Sequence, residues 1–392
     1  MILAGRTPVP DLAAVRLFEA VELCETGLPE IALRTFESIA RCATSVERRL
    51  EALCHAAEAV LESAGPAAAA AYVSEARTVL ERSGDCLDPG AINYPRDAVD
   101  FADWLVRWRS GSSSGFASPP PIVLAVDTNA ANDPDERRRA LFVRASAEYA
   151  MQRWEIGDRR GHAIVRRGLE AVRTLGMARK REHLAIMRAE AQLAALCSPP
   201  GAARDRFLLI EGLATRFGYR RTLLAAHAER IVCDVATGAS PRRAVGEGLR
   251  AFGAVEQRTM SWTFAWTARL VAQHEASSAR ALAAARRTES LVSGRTAQAL
   301  MARCVRAACA LRCGELSTGW DLARGVATDV MTVGNNRVLG ATYCYLAEIA
   351  LARRRFSEAQ RHIARALELL EHHGAYESFR RATAIGRVLG VA

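Results

Sequence analysis

The chain has 392 residues, more than one compact hydrophobic core usually holds, so it either divides into domains or forms an array of repeats. Half of its residues are hydrophobic and only 6% are aromatic, which excludes a wholly disordered chain and favours closely packed helices over a β-sandwich. Its formal net charge is +10, and no apolar run approaches the roughly 18 residues of a membrane-spanning helix. The composition therefore predicts a soluble all-α protein with no membrane partner.

The charge changes sign along the chain. Residues 1–136 contain 11 Arg or Lys and 21 Asp or Glu, a net charge of −10. The next stretch, 137–188, contains 14 basic and 5 acidic residues, and 189–392 contains 28 and 17. This asymmetry favours an acidic partner, or docking of the acidic N-terminal block on the basic remainder. The other interpretation is that each helix has a solvated, charged face.

The N-terminal third has the apolar spacing of helix pairs. A turn at Gly65-Pro66 separates two of its helices, because proline is tolerated in the first helical turn. Another helix carries Trp104 and Trp108 on one face at i,i+4 spacing. The predicted helices are 10–26 with 29–42, 46–64 with 66–83, and 96–109.

The segment 110–136 separates the acidic block from the basic remainder. Residues 110–121, SGSSSGFASPPP, have the composition of a linker. Ile122–Val126 is predicted to form a short strand or extended segment, and 127–136 is polar and acidic. We therefore expect an acidic helical block at 1–109, a linker or loop at 110–136, and a basic helical array at 137–392.

The basic remainder predicts a series of helix pairs that ends in a capping helix near 376–389. Glycines recur where the helical pattern stops, at intervals of 35 to 42 residues, and glycine just past a helix is a common C-terminal cap. These glycines are Gly176, Gly218, Gly253, Gly294, Gly334 and Gly374. The predicted pairs are 137–156 with 159–175, 182–197 with 201–217, 222–237 with 241–252, 260–275 with 277–292, 297–313 with 316–330, and 339–353 with 356–373.

The last pair carries the clearest repeat, because large residues alternate with alanines on two facing helices and so allow a close approach. Its marked positions are Tyr343, Leu346, Ala347, Ala350, Phe356, Ala359, Ile363, Ala366 and Leu367. In these positions the chain resembles a tetratricopeptide repeat, although glycine replaces the usual closing proline. The first pair fits the same positions more weakly, at Ala20, Gly27, Ala32 and Phe36.

The resemblance to tetratricopeptide repeats implies a right-handed superhelix of antiparallel helix pairs with a concave, peptide-binding groove. The interval near 40 residues exceeds the family's usual 34 or so. With this longer interval the chain is similar to the helical sensor regions of large LuxR-type bacterial regulators. The sequence lacks the nucleotide-binding loop and the helix-turn-helix of those regulators. The resemblance therefore implies an α-solenoid, and with it a cytoplasmic, bacterial-type scaffold or regulatory protein.

No sequence pattern predicts catalysis, a cofactor or a metal. The G-x-S-x-G match at Gly111–Gly115 lacks the strand before it and the helix after it that a hydrolase nucleophile needs. Phosphate-binding glycine loops and HExxH are absent. Cys304, Cys309 and Cys313 share one predicted helix, where small residues at a tight helix interface explain them without a metal. We expect a protein that is not an enzyme and binds no cofactor.

The 137–188 stretch is the strongest electrostatic feature. Its basic residues lie on two predicted helices and the turn after them, and Arg144, Arg166 and Arg167 are candidate partner contacts. Arginine can make bidentate contacts to carboxylate and phosphate groups. This surface therefore suits an acidic protein or peptide, including the chain's own N-terminal block, or the phosphates of a nucleic acid.

Two further sets of residues are candidates for a binding groove. One set shares a helical face at steps of four, three and four, and its aromatic and arginine side chains are typical of binding hot spots, unless the aromatic rings are buried between repeats. This set is Trp262, Trp266, Arg269 and Gln273. The other set precedes the last helix pair at Asn335, Asn336 and Arg337, where it could bind a peptide backbone or cap the helix.

The sequence thus supports three functions. The first is a non-catalytic protein- or peptide-binding scaffold or regulatory protein that uses a groove with an Arg-rich face. The second is a nucleic-acid-associated protein that binds phosphates through the helices of 137–188. The third is a sensor of a small molecule or a peptide signal.

Overall fold

The structure is a computed structural model that describes residues 11–83, 92–110, 118–124, 133–156, 158, 160–176, 179–197, 200–240, 250–251, 277–291, 297–373 and 376–391. Every regular element in these ranges is an α-helix, as the composition predicts. The helices are α1 Leu12–Glu25, α2 Pro29–Cys42, α3 Val46–Ser63, α4 Pro66–Ser83, α5 Asn93–Arg109, α6 Pro121–Leu124, α7 Glu136–Ile156, α8 Gly161–Val172, α9 Lys180–Cys197, α10 Pro200–Phe217, α11 Arg220–Ala236, α12 Ser278–Leu291, α13 Ala297–Arg312, α14 Leu316–Val333, α15 Asn336–Ala352, α16 Phe356–His373 and α17 Tyr376–Val388.

Most consecutive helices of the described ranges pack side by side, so the predicted architecture of stacked antiparallel helix pairs is confirmed. The bounds of the observed helices lie within a few residues of the predicted ones. Most of the predicted helix at 241–252, and all of that at 260–275, lies outside the described residues. We call α1, α3, α5, α7, α9, α11, α13 and α15 the inner helices, because most of them contact the next inner helix as well as their own partner.

The expected strand at 122–126 is wrong over its described part, because Pro121–Leu124 forms one helical turn. Proline suits the first position of a helix, and the Val123 amide donates to the Pro120 carbonyl. The adjacent side chains of Ile122 and Val123 are both buried, whereas a strand would alternate them between two faces. This turn packs on α5 and α7, and the Trp104 indole N–H donates to the Ser118 carbonyl at 2.9 Å.

Left-handed residues end several helices, but not at every predicted glycine. Gly218 and Gly334 have φ of +74°, as expected, while Gly176 does not take positive φ. There the chain leaves α8 through tight turns, in which the Leu175 amide donates to the Val172 carbonyl. Arg354, with φ of 59°, takes the left-handed position between α15 and α16. Gly253, Gly294 and Gly374 lie outside the described residues.

One hydrophobic core runs through both sides of the predicted linker. It contains residues of α1–α9 and also residues of α13–α17, and the Ile122 and Val123 side chains of α6 belong to it. The chain between 118 and 124 is therefore packed against the helices on both sides. The placement of a domain boundary within 110–136 stays a prediction.

The inner helices close on one another instead of lining an open groove. From Leu50 to Leu61 of α3, only His55 and Glu58 are half-buried among the described side chains, and the rest are buried. The same is true of α7 and α15 over most of their lengths. Two contacts between distant inner helices accompany this burial, α1 with α11 and α7 with α15. The concave groove implied by the resemblance is therefore filled along these helices.

Small residues allow this close packing. A Cβ atom on Gly340 of α15 would lie 2.6 Å from Leu370 Cγ, and one on Gly168 of α8 would lie 2.6 Å from Ile186 Cδ1. Alanine is the most frequent buried hydrophobic residue of the inner helices. With side chains this small, helices approach until little room is left between them.

Candidate acidic-partner interface

The inner face of α7 carries the first predicted site residue, Arg144. Its guanidinium pairs with the carboxylate of Glu58 on α3 and lies 5.7 Å from the ring centre of Phe101. The Arg144 and Glu58 side chains are each 12% exposed. Arg144 is therefore engaged within the chain, by an acidic residue of the N-terminal block.

Arg181, at the start of α9, joins the same cluster. Its Nη2 lies 3.0 Å from Glu58 Oε2, and its Nε lies 2.9 Å from Glu25 Oε1 on α1. Glu25 also accepts a hydrogen bond of 3.3 Å from the Thr222 hydroxyl of α11. We call Glu25, Glu58, Arg144 and Arg181 the inner ion cluster, which ties α1, α3, α7 and α9 together.

The protonation of the inner ion cluster follows from its partners. Burial by itself would raise the pKa of Glu58, but the charge of Arg144, the hydrogen bond from His55 and the charge of Arg181 hold that pKa well below its usual range. Burial would lower the pKa of Arg181, but Glu58 and Glu25 outweigh it and raise that pKa. Both side chains are therefore charged at neutral pH, and the pair is held in an environment with little water.

Other arginines of α7 also pair with acidic residues of the N-terminal block. Arg138 Nε lies 2.7 Å from Asp97 Oδ2 on α5. Arg137 pairs with Glu47 and lies 3.7 Å from Glu51 on α3. The sign change in the sequence is thus matched by ion pairs within the molecule, which neutralise much of the basic charge on α7 and at the start of α9.

Most of the arginines on α8 and directly beside it are more exposed than those of α7. Arg166 and Arg173 are exposed, and no hydrogen bond or ion pair to another described residue engages their guanidinium groups. Arg167 lies 5.4 Å from the ring centre of Phe142 and is half-buried. Arg160, before α8, has an 81% exposed side chain and pairs with Asp158. We call Arg160, Arg166, Arg167 and Arg173 the α8 basic face.

One acidic residue interrupts the α8 basic face. Glu170 is exposed and lies four residues after Arg166 and three before Arg173, so all three share one side of the helix. No ion pair joins Glu170 to either arginine in the structure. Its carboxylate would repel an acidic partner, and it therefore provides an internal test of charge at this surface.

The predicted residues before the last helix pair have a structural role. Asn335 is buried, and its side chain accepts a hydrogen bond of 3.0 Å from the Val338 amide, so the capping interpretation is confirmed for this residue. Asn336 begins α15, and both Asn336 and Arg337 are half-buried. They lie far along the chain from the α8 basic face.

The second predicted set, Trp262, Trp266, Arg269 and Gln273, lies outside the described residues, as does Gly111–Gly115. Cys304 and Cys309 of α13 are buried in the core, and Cys313, directly after α13, is half-buried. Burial raises the pKa of Cys309 to about 11 and that of Cys344 to about 12, so both thiols stay protonated near neutral pH. Within the described ranges, no three His, Cys, Asp or Glu side chains are placed to hold a metal ion.

Sequence reasoning missed the acidic half of the inner ion cluster. Glu51, His55 and Glu58 recur at steps of four and three within an otherwise apolar helix, LEALCHAAEAVL, so they share one face. Charged residues on an apolar face are seldom buried without partners. That pattern could have indicated that α3 meets arginines elsewhere in the chain.

No protein-family model matches this chain, and no curated protein sequence matches it significantly. The resemblance to tetratricopeptide repeats therefore stays a prediction, while the stacked helix pairs are observed. A search of the described helices for one that is long and apolar enough to cross a membrane finds none.

Proposed function

We propose that this protein is a non-catalytic scaffold or regulatory protein that binds an acidic segment of a partner protein through the α8 basic face. The observation that supports this proposal is the contrast within 137–188. The arginines of α7 and the start of α9 pair with the chain's own acidic residues. Arg166 and Arg173 of the α8 basic face form no ion pair with another described residue. An acidic partner can bind α8 without displacing any of these internal pairs.

Exposed arginines are suited to binding the carboxylates of an acidic partner. Arg166 and Arg173 are already in water, so a partner carboxylate pays no cost of breaking an existing ion pair when it binds them. Exposed charge pairs of this kind act mainly on the association rate and on specificity, and each contributes modestly to affinity. The proposal therefore predicts a binding reaction that weakens with salt and depends on several arginines together.

The test uses the full chain and a fluorescent Glu-rich peptide at about 50 mM salt, with a single-stranded oligonucleotide as the second probe. Arg166→Glu/Arg173→Glu should weaken peptide binding by about tenfold or more, because two attractive contacts become repulsive. The matched control is Arg324→Glu/Arg361→Glu, which changes the net charge equally at exposed arginines of α14 and α16. It should change the affinity by no more than about twofold.

Glu170→Gln should strengthen peptide binding, because it removes the carboxylate that interrupts the α8 basic face. Equal losses in the two double variants would contradict the proposal, since net charge alone would then explain binding. Preference for the oligonucleotide over the peptide would favour the nucleic-acid function predicted from the sequence instead.

A further inference from the structure

The C-terminal end of α1 touches helices that follow it far along the chain. Glu22 Oε1 accepts a hydrogen bond of 2.6 Å from the Tyr219 hydroxyl, which lies 197 residues further along, just before α11. Glu25 accepts a hydrogen bond of 3.3 Å from the Thr222 hydroxyl and pairs with Arg181 of α9 at 2.9 Å. We call Glu22, Glu25, Arg181, Tyr219 and Thr222 the α1 seam.

The α1 seam joins polar groups, while the hydrophobic residues on each side of it pack within their own clusters. Leu17, Ala20 and Cys24 of α1 belong to the large core cluster, which includes no described residue of α11. The Tyr219 ring belongs to a separate cluster of α9, α10 and α11, which includes no described residue of α1. Separation of α1 from α11 therefore exposes chiefly polar groups to water.

Opening of the α1 seam leaves its groups with other partners. Arg181 keeps its second ion pair, in which its Nη2 lies 3.0 Å from Glu58 Oε2. The carboxylates of Glu22 and Glu25 exchange their contacts with the chain for contacts with water, and such an exchange changes the net free energy little. The seam can therefore break while the hydrophobic clusters on both sides of it stay packed.

The three donors of the α1 seam form a site for a pair of carboxylates. Arg181, Tyr219 and Thr222 direct N–H or O–H groups to two glutamates of one helix. Glu22 and Glu25 are three residues apart, so they lie on the same side of α1. A helix of another protein with two glutamates at the same spacing would present the same acceptors to these donors.

We propose that the α1 seam is a latch that opens and closes, and that an acidic helical segment of a partner opens it by taking the place of Glu22 and Glu25. The α1 helix is then an internal competitor for Arg181, Tyr219 and Thr222. The inference rests on the proposed function only in the acidic character of the partner, because the seam uses no residue of the α8 basic face.

Cys24 reports on the latch because its thiol lies beside the seam. Burial raises the pKa of this thiol to about 11, and the charges of Arg221 and Arg181 act against that rise, so both arginines lie near it. A hydrated cysteine has a pKa of about 8.5, and the thiolate is the form that alkylating reagents attack. Opening should therefore speed the alkylation of Cys24. Cys304 and Cys344, buried on α13 and α15, are controls within the same molecule.

The experiment measures the alkylation rate of each cysteine in the full chain by iodoacetamide labelling and mass spectrometry at about pH 8. Glu22→Gln/Glu25→Gln should raise the rate at Cys24 by at least about tenfold, because the seam loses its charged acceptors. The matched control is Glu19→Gln/Glu30→Gln, which changes the charge of α1 and α2 equally at exposed glutamates. It should leave the rate at Cys24 within about twofold of the unsubstituted chain.

A milder variant guards against loss of the fold. Tyr219→Phe removes one hydroxyl from the seam and keeps the aromatic ring in its own cluster. It should also speed the alkylation of Cys24, by less than the double variant does. In both variants, the rates at Cys304 and Cys344 should not change.

A synthetic peptide with the sequence of residues 11–28 and the change Cys24→Ser tests the competition. It should speed the alkylation of Cys24 in the unsubstituted chain, whereas the same peptide with Glu22→Gln and Glu25→Gln should not. The effect should persist in the double variant of the α8 basic face, so it can be told apart from the binding proposed for that face.

Three results would overturn the proposal. The first is alkylation of Cys24 that is equally slow in the unsubstituted chain, in Glu22→Gln/Glu25→Gln and in Tyr219→Phe. The second is an increase that Cys304 and Cys344 share, because that would report unfolding of the whole chain. The third is a glutamine peptide as effective as the glutamate peptide, because carboxylates would then not be what opens the latch.

Discussion

The arginines of α7 and the start of α9 differ from those of α8 in what surrounds them, although all of them belong to one basic stretch. Arg144 and Arg181 are largely buried and pair with Glu58, while Arg166 and Arg173 are exposed without such partners. The first group holds helices together and the second is available to another molecule. A run of basic residues is thus a poor guide to function until the position of each side chain is known.

The largest expected effect comes from breaking the inner ion cluster. Arg181→Met keeps most of the side-chain bulk but leaves Glu25 and Glu58 with fewer positive neighbours. Removing one partner from a buried ion pair usually costs about 3–5 kcal/mol of unfolding free energy, because the remaining charge has lost its compensation. Urea denaturation followed by circular dichroism measures this loss.

The matched substitution on the other group is Arg166→Met. An exposed arginine without a partner should change the unfolding free energy by no more than about 0.5 kcal/mol. If the two variants were equally stable, the distinction between a structural and an available arginine would fail.

Packing on the buried side of α8 should produce the next largest effect. Gly168→Ala places a methyl group where Ile186 Cδ1 lies only 2.6 Å away, and such overpacking costs about 1–3 kcal/mol. Gly212→Ala on α10 is the control, because nothing lies within 4 Å of its new Cβ. Alanine favours a helix over glycine, so this second variant should gain about 0.5–1 kcal/mol in thermal or urea unfolding. Equal effects of the two substitutions would show that α8 does not pack this closely.

Acidification should weaken the inner ion cluster in a defined range. The pKa of Glu58 is lower in the folded chain than in the unfolded one, so the unfolded state binds more protons at low pH. The stabilisation by this group is therefore complete above the unfolded pKa of about 4.3 and is lost as the pH falls toward the folded value. The stability difference between the unsubstituted protein and Glu58→Gln should be largest at pH 7 and shrink below about pH 4.5. A difference that stays constant down to pH 3 would contradict the assignment.

The helix pairs could be predicted from the sequence because helix formation depends on local spacing. Ala359, Ile363 and Ala366 recur at steps of four and three, and all three are buried in α16. The prediction of a strand at 122–126 was wrong because this segment is too short for local spacing to identify its structure. Its few residues carry too little periodicity to distinguish a strand from a buried helical turn, and packing against α5 and α7 decided the outcome.

The candidate site could be predicted only in part. The basic stretch and its arginines are visible in the sequence, and so is the acidic block. Which carboxylate meets which guanidinium depends on how the inner helices close on one another, and Glu58 lies 86 residues from Arg144 and 123 from Arg181 along the chain. No local pattern carries information over such separations.

The amino-acid sequence by itself determined that this chain forms stacked helices with an acidic first third and a basic remainder, because helical periodicity and charge are properties of neighbouring residues. The tertiary structure alone decided that α3, α7 and α15 are buried on nearly all sides and that Arg144 and Arg181 form internal ion pairs. The physical reason is close packing. Small side chains let helices from distant parts of the chain meet, and burial then requires each charge to find an opposite one.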